Sequence, residues 1–251
     1  MVLANHIIGI IPARYASTRF PGKPLADIAG KSMIARVYER ASMAATLNYL
    51  VVATDDKRIA QTVKQFGGNY IFTNQNHQSG TDRIIEVMQH FPNSTYFINI
   101  QGDEPFINPK DIEQVVGILK DTNNPCVATL ASPIRDSQML FQENSVKVVL
   151  DKQKQALYFS RSPIPFSKDP QKLMGQNFFL KHIGLYGYHR ISLQEISQLP
   201  VSELEKAESL EQLRWLEAGI PIRVGITENY STAIDVPEDI QRAILNHQKE
   251  L

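Results

Sequence analysis

Ile7-Ile8-Gly9-Ile10-Ile11-Pro12-Ala13-Arg14-Tyr15-Ala16-Ser17-Thr18-Arg19-Phe20-Pro21-Gly22-Lys23-Pro24-Leu25 is the stretch whose reading decides the fold. Its first five residues are a short, β-branched apolar run, which predicts a strand. The remainder is turn-rich and carries three cations, Arg14, Arg19 and Lys23. In an open α/β sheet the segment just past a strand's carboxyl end borders the crevice where ligands bind. Guanidinium groups hold phosphate oxygens bidentately, an ammonium acts as a point charge, and Gly22 lets backbone amides approach a polyphosphate. The segment therefore predicts a triphosphate loop, the plain alternative being a solvated basic turn.

Working outward, short β-branched runs alternate with helix-length amphipathic stretches, the pattern of βαβ units and a mostly parallel sheet. Strands are expected at Ile7 to Ile11, Tyr49 to Ala53, Asn69 to Phe72, Tyr96 to Ile100 and Val127 to Ala131. Helices are expected over Met33 to Ala44, Lys57 to Phe66 and Pro109 to Leu119, where apolar residues recur every three to four positions. From Ser145 the pattern turns β-rich, with two strands around the polar turn Asp151-Lys152-Gln153-Lys154-Gln155. A strand over Ile183 to Tyr188, helices over Leu193 to Leu199 and Ser202 to Ala218, a strand over Ile222 to Ile226 and a closing helix from Pro237 complete the chain. The expected fold is α/β, with a mostly parallel, Rossmann-like sheet. It forms one domain over residues 1–251, carrying a smaller β-rich inserted subdomain over about 145–199.

Of the 251 residues, 43% are hydrophobic, and Lys plus Arg balance Asp plus Glu at 26 each. With no net field, nucleic acid and anionic membranes are not expected partners, and any anion site must be local. One cysteine, Cys126, rules out an intrachain disulfide and fits a reducing compartment. The first apolar run is far shorter than a bilayer span and no basic leader precedes it, so a cytoplasmic, unanchored protein is expected.

Gly30-Lys31-Ser32 imitates a P-loop, but Leu25 stands where its first glycine belongs, and no Gly-x-Gly-x-x-Gly follows the first strand. Two carboxylates attract attention instead. Asp103, in Gln101-Gly102-Asp103-Glu104-Pro105, lies just past the fourth strand. Asp235, in Thr232-Ala233-Ile234-Asp235-Val236-Pro237, precedes the last helix. Magnesium takes one or two protein carboxylates plus substrate phosphates, so the two are candidates for one shared Mg2+. The alternatives are a turn residue for Asp103 and a helix N-cap for Asp235.

Six motifs in order resemble those of the 3-deoxy-manno-octulosonate (Kdo) cytidylyltransferase family, a group of nucleotidyltransferases. They are Pro12 to Arg19 with Pro21 to Pro24, His77 to Arg83, Gln101 to Pro105, Tyr158 to Arg161, His182 to Tyr188 and Leu210 to Arg214. The resemblance runs from about Ile7 to Asp239. It implies that CTP is held by Pro12, Ala13, Arg14, Arg19, Lys23 and Asp103, with Ser79, Gly80 and Thr81 against the cytosine. It implies Mg2+ on Asp103 and Asp235, and Kdo bound by Gln101, Arg161, His182, Tyr186, Glu211 and Gln212. Without it, Ser79 or Thr81 would read as a helix cap, His182 and Tyr186 as ordinary strand residues, and Glu211 as a solvated charge. Three departures stand out: Asn74 where relatives often have Arg, Ser32 where Pro is common, and the altered wording around Asp235.

The implied reaction is in-line attack by the anomeric hydroxyl of Kdo on the α-phosphorus of CTP, giving CMP-Kdo and pyrophosphate for lipopolysaccharide biosynthesis. Arg19, Lys23, Asp103 and Asp235 would carry it. No general base is evident. The resemblance also implies a homodimer through the β-rich segment. Rival readings are a cytidylyltransferase for another acidic sugar or for a methylerythritol phosphate, a metal-dependent glycosyltransferase, and a noncatalytic nucleotide sensor. No Asp-x-Asp element follows a strand to favour the glycosyltransferase.

Overall fold

The run that opens the chain becomes β1 (Ile7–Ala13), with Ile7, Ile8, Ile10 and Ile11 all buried. A strand with no polar face needs cover on both sides, the condition of a parallel sheet flanked by helices. The computed structural model describes residues 6–16, 19–77, 79–122, 124–174, 177–229 and 232–248. Ser17, Thr18 and Gln78, which belong to the motifs above, lie outside the described residues. The chain divides into two units, Met1–Glu113 with Tyr230–Leu251, and Gln114–Asn229.

In the first unit a tight hairpin of β2 (Asp27–Ile28) and β3 (Lys31–Ser32) leads into α1 (Met33–Ser42). Ser32 caps α1, its hydroxyl accepting from the Ala35 amide, and the helix buries Met33, Ile34, Val37 and Ala41. Next come β4 (Tyr49–Thr54), α2 (Lys57–Gln65, capped by Asp56), β5 (Tyr70–Phe72), α3 (Gly80–Gln89) and β6 (Tyr96–Asn99). The strands run β6-β1-β4-β5, all parallel. Because Ile10 sits opposite Asn99 and Ala13 opposite Thr54, the loops leaving β1 and β6 emerge side by side at the same end of the sheet. α3 is tied down by Arg83, 1% exposed, whose guanidinium meets Asp55 at 2.8 Å. A charge that deep is tolerated because it is paired. α4 (Pro109–Lys120) spans the boundary between the units.

The second unit contains β7 (Val127–Pro133), α5 (Ser137–Phe141), β8 (Lys147–Leu150), β9 (Ala156–Ser160) and β10 (Leu180–His189). α6 (Arg190–Ile196), α7 (Glu203–Glu208), α8 (Gln212–Glu217) and β11 (Ile222–Ile226) complete it. β11 pairs with β7 in parallel, while β7-β10-β8-β9 are antiparallel. Trp215 is fully buried and takes the edges of Tyr186 and Tyr188, ring centroids 5.2 and 5.7 Å away. The segment 145–199 lies wholly inside this unit.

Two elements differ from expectation. The single helix expected over Ser202 to Ala218 is broken at Ser209, whose φ of 52° is left-handed, so α7 and α8 are separate. The last helix, α9 (Asp239–Asn246), starts two residues after Pro237. Its Asp239 carboxylate accepts from the amides of Asp235 (2.9 Å) and Val236 (3.1 Å), so closing this turn falls to Asp239 and not to Asp235.

Candidate active site

The loop after β1 closes on itself. The Gly22 amide donates to the Tyr15 carbonyl at 2.9 Å, and the Lys23 amide to that of Phe20 at 3.1 Å. Gly22 holds φ 74°, a left-handed conformation that a side chain resists, and then starts a short 3-10 turn, Lys23–Leu25. The Tyr15 ring is held from the other side by the Arg58 guanidinium, 3.3 Å from its centroid. Thus folded, the loop faces a cleft of about 410 Å³ lined by Pro12, Ala13, Arg14, Arg19, Lys23, Gln101, Asp103 and Asp235. Eight of the residues singled out from sequence share one cavity.

Within it the charges are cross-paired. Lys23 Nζ lies 2.7 Å from Asp103 Oδ2, 3.7 Å from Asp235 Oδ1 and 3.0 Å from the Ile234 carbonyl. Arg19 Nη2 lies 3.1 Å from Asp235 Oδ1. The Ile234 amide donates to the Asp103 carbonyl at 2.9 Å, which joins the segment before α9 to the loop after β6. With Asp239 closing the turn, the Asp235 carboxylate is turned to the cations. Gly102 permits the approach of the other wall, because a Cβ there would lie 2.7 Å from the Pro12 carbonyl oxygen.

The two carboxylates suit a hard divalent ion, which binds oxygen and completes its shell with phosphate oxygens and water. Among the described residues no group of three or more Asp, Glu, His or Cys converges. Among the described residues, such an ion would find a pair of carboxylates and not a cage.

Ser79 caps α3: its hydroxyl accepts from the Asp82 amide at 3.1 Å while Asp82 Oδ2 accepts from the Ser79 amide at 3.0 Å. The capping alternative is thus realised in geometry, and Ser79, Gly80 and Thr81 are not among the residues lining the cleft. The preceding loop is pinned by Glu86, whose Oε2 accepts from the Asn74 amide at 2.9 Å and contacts His77 Nε2. Burial raises the Glu86 carboxyl, but these partners outweigh it and hold it below the usual range. Asn74, where relatives often have Arg, turns its side-chain oxygen to the Asn76 amide at 2.9 Å.

The remaining candidates, other than Gln101, lie in the second unit. Arg161, just past β9, donates through Nε to the Glu208 carbonyl (2.8 Å) and through its two terminal nitrogens to the carbonyls of Glu143 and Ser209, each 3.2 Å. Among the described residues, three of its five N–H groups are engaged. Glu208 and Lys147, not anticipated from sequence, fix this corner. The Glu208 carboxylate accepts from the Ser160 hydroxyl (2.6 Å) and the Arg161 amide (2.9 Å). Lys147, fully buried, donates to the carbonyls of Gln142 and Arg161, and its burial lowers its affinity for a proton. A lysine inside Val146-Lys147-Val148-Val149 reads as a solvent-facing strand position, so the sequence carried little signal of this role.

His182 and Tyr186 on β10 come together, ring centroids 5.2 Å apart, with Phe159 edge-on to His182 at 5.1 Å. Burial, aided by Lys181, pushes the His182 imidazole down to about 3, so it is neutral. Burial, with Tyr188 and Glu211 nearby, pushes the Tyr186 phenol well up. Glu211 pairs with Arg214 at 2.8 Å, and Gln212 is buried at the start of α8.

A family model for cytidylyltransferases matches residues 8–226. The 3-deoxy-manno-octulosonate cytidylyltransferase of Parabacteroides distasonis is 52% identical, over 94% of this chain and 96% of its own. That of Escherichia coli is 47% identical over 93% and 92%. The solved structure of a CMP:2-keto-3-deoxy-manno-octonic acid synthetase complexed with CTP superposes with a TM-score of 0.91 at 45% identity, covering 98% of this chain and all of the other.

Gly102→Ala tests the cleft's construction. It should lower stability by about 1–3 kcal/mol, as overpacking does, and weaken nucleotide binding tenfold or more, about 1.4 kcal/mol. Thermal denaturation and calorimetry read both, and unchanged values would contradict the close contact with Pro12.

Proposed function

We propose that this chain, which belongs to the 3-deoxy-manno-octulosonate cytidylyltransferase family, transfers CMP from CTP to the anomeric hydroxyl of Kdo, with CMP-Kdo and pyrophosphate as products. The observation that carries the reading is the cleft after β1, where three cations from one loop face two carboxylates from distant segments.

A polyphosphate entering this cleft offers Arg19 and Lys23 a stronger partner than the carboxylates that otherwise hold them. Arg14 adds a third cation. The sugar oxygen attacks the α-phosphorus as the bond to pyrophosphate breaks, and Arg19 and Lys23 neutralise the charge that accumulates on the leaving group. Asp103 and Asp235, once released, would hold Mg2+, which when bound supplies Lewis-acid withdrawal of charge from the phosphates. Ser79, Gly80 and Thr81 are assigned to the base by family resemblance, through first-turn amides and hydroxyls. Arg161 is assigned to the sugar carboxylate. Gln101, His182, Tyr186, Glu211 and Gln212 supply donors and acceptors for a polyol. The product is the activated sugar used in lipopolysaccharide biosynthesis. No described helix is long and apolar enough to cross a membrane. The one cysteine is buried as a free thiol, which supports a cytoplasmic location.

We also read the β-rich segment of about 145–199 as the homodimer surface, since Leu157 and Phe166 on it are 60% and 84% exposed. Light scattering at micromolar concentration should give a mass near twice that of one chain, and a monodisperse monomer would refute the dimer.

Incubation with CTP and Mg2+ should release pyrophosphate in proportion to Kdo consumed. Release with sialic acid or methylerythritol phosphate but none with Kdo would overturn the assignment. Lys23→Ala should cut kcat by about 10²–10³-fold, the cost of losing a charged donor at the leaving group. Arg161→Ala should raise the acceptor KM about ten- to a hundredfold and the CTP KM far less, with only partial rescue by Lys.

A further inference from the structure

Thr129 is the one polar side chain in the fully buried stretch Val127 to Ala131, where a valine would fit the pattern equally well. Its hydroxyl lies 2.9 Å from the Ile183 carbonyl, 2.8 Å from the Leu185 carbonyl and 3.1 Å from His182 Nε2. These partners sit at an irregularity in β10. Ile183 pairs with Leu130 and Tyr186 with Thr129, so β10 advances three residues while β7 advances one. Gly184 and Leu185 are the surplus residues between these two register positions against β7, as in a bulge. On a regular strand, residues four apart are separated by about 13 Å. The rings of His182 and Tyr186 are 5.2 Å apart because the bulge shortens β10 between them.

The hydrogen count then settles the imidazole. A hydroxyl has one hydrogen, and carbonyl oxygens only accept. Two carbonyl oxygens this close to the hydroxyl favour its hydrogen pointing at them, which leaves the Thr129 oxygen to accept from His182. With that assignment Nε2 carries the ring hydrogen and Nδ1 is left as an acceptor, to which no group donates among the described residues. Burial keeps the ring neutral.

We infer that Thr129 is the positioning residue of the acceptor site: its hydroxyl holds the β10 bulge that brings His182 and Tyr186 together, and it locks His182 in the Nε2–H form. Nδ1 then accepts from a hydroxyl of the acceptor and does not pair with its carboxylate. The inference rests on the Kdo reading for the identity of the ligand and on geometry alone for the tautomer.

The test uses ¹⁵N-histidine-labelled enzyme. In the wild type, two-bond ¹⁵N–¹H correlations should show His182 as the Nε2–H form across neutral pH, and added acceptor should perturb the Nδ1 resonance. Thr129→Val should mix the tautomers and raise the acceptor KM about tenfold or more, with the CTP KM within about twofold, and Thr129→Ser should restore both. A wild-type His182 found as Nδ1–H overturns the inference even if the valine variant does not fold. So does a folded valine variant whose two KM values rise equally or not at all. An enzyme with His182 as Nε2–H that turns over no Kdo overturns the functional reading instead.

Discussion

Three segments far apart in sequence meet at one ammonium group. Lys23 Nζ touches Asp103, Asp235 and the Ile234 carbonyl, which brings residues 23, 103 and 234–235 into one cleft wall. Only 15% of the lysine side chain is exposed, so its attraction to the carboxylates is less screened than at a free surface. The loop geometry that delivers it depends on Gly22 in the left-handed region, and the approach of Asp103 depends on Gly102 lacking a Cβ against Pro12. A cationic loop left to itself would be a solvated turn. Opposing carboxylates keep it folded in the shape of an anion site.

The parallel sheet is what makes this meeting possible. β1 and β6 are hydrogen-bonded neighbours, so their following loops cannot diverge at the point where they leave the sheet. Chemistry placed on those loops inherits the rigidity of buried strands. The second unit supplies a different kind of precision, where irregular backbone is held by single polar groups: Glu208 at the Ser160–Arg161 corner, Lys147 behind it, and Thr129 at the β10 bulge. Lys147 and Thr129 are fully buried polar groups, which persist only with their hydrogen bonds made, and Glu208 is half-buried beside them.

That contrast explains what could be read from the chain. Strands and helices of the first unit were legible because Ile7 to Ile11 and the Met33, Ile34, Val37, Ala41 face are patterned locally. The cleft was legible because Arg14, Arg19, Lys23 and Asp103 lie on the loops that leave β1 and β6. Asp235 was ambiguous because an aspartate before proline also reads as a cap, and only Asp239 taking over that turn resolves it. The break at Ser209 was not legible, since a left-handed serine is uncommon and nothing in Leu204 to Leu213 interrupts the helical pattern. Thr129 and Lys147 were invisible for the same reason: inside apolar strand runs, their partners lie on other strands or loops. The motifs that resemble the family assembled Arg161, His182, Tyr186, Glu211 and Gln212, whose residue types alone read as an ordinary strand and helix.

On the proposed function, Arg19 and Lys23 would exchange one set of anions for another, the carboxylates Asp103 and Asp235 for the polyphosphate of CTP. Asp235 would then compete for the cations when no divalent ion is present and act with the nucleotide when one is. Calorimetric titration of CTP into wild type and Asp235→Asn, with and without Mg2+, tests this directly. Without Mg2+ the variant should bind CTP more tightly than wild type, and with Mg2+ more weakly. A change in the same direction under both conditions would contradict the account.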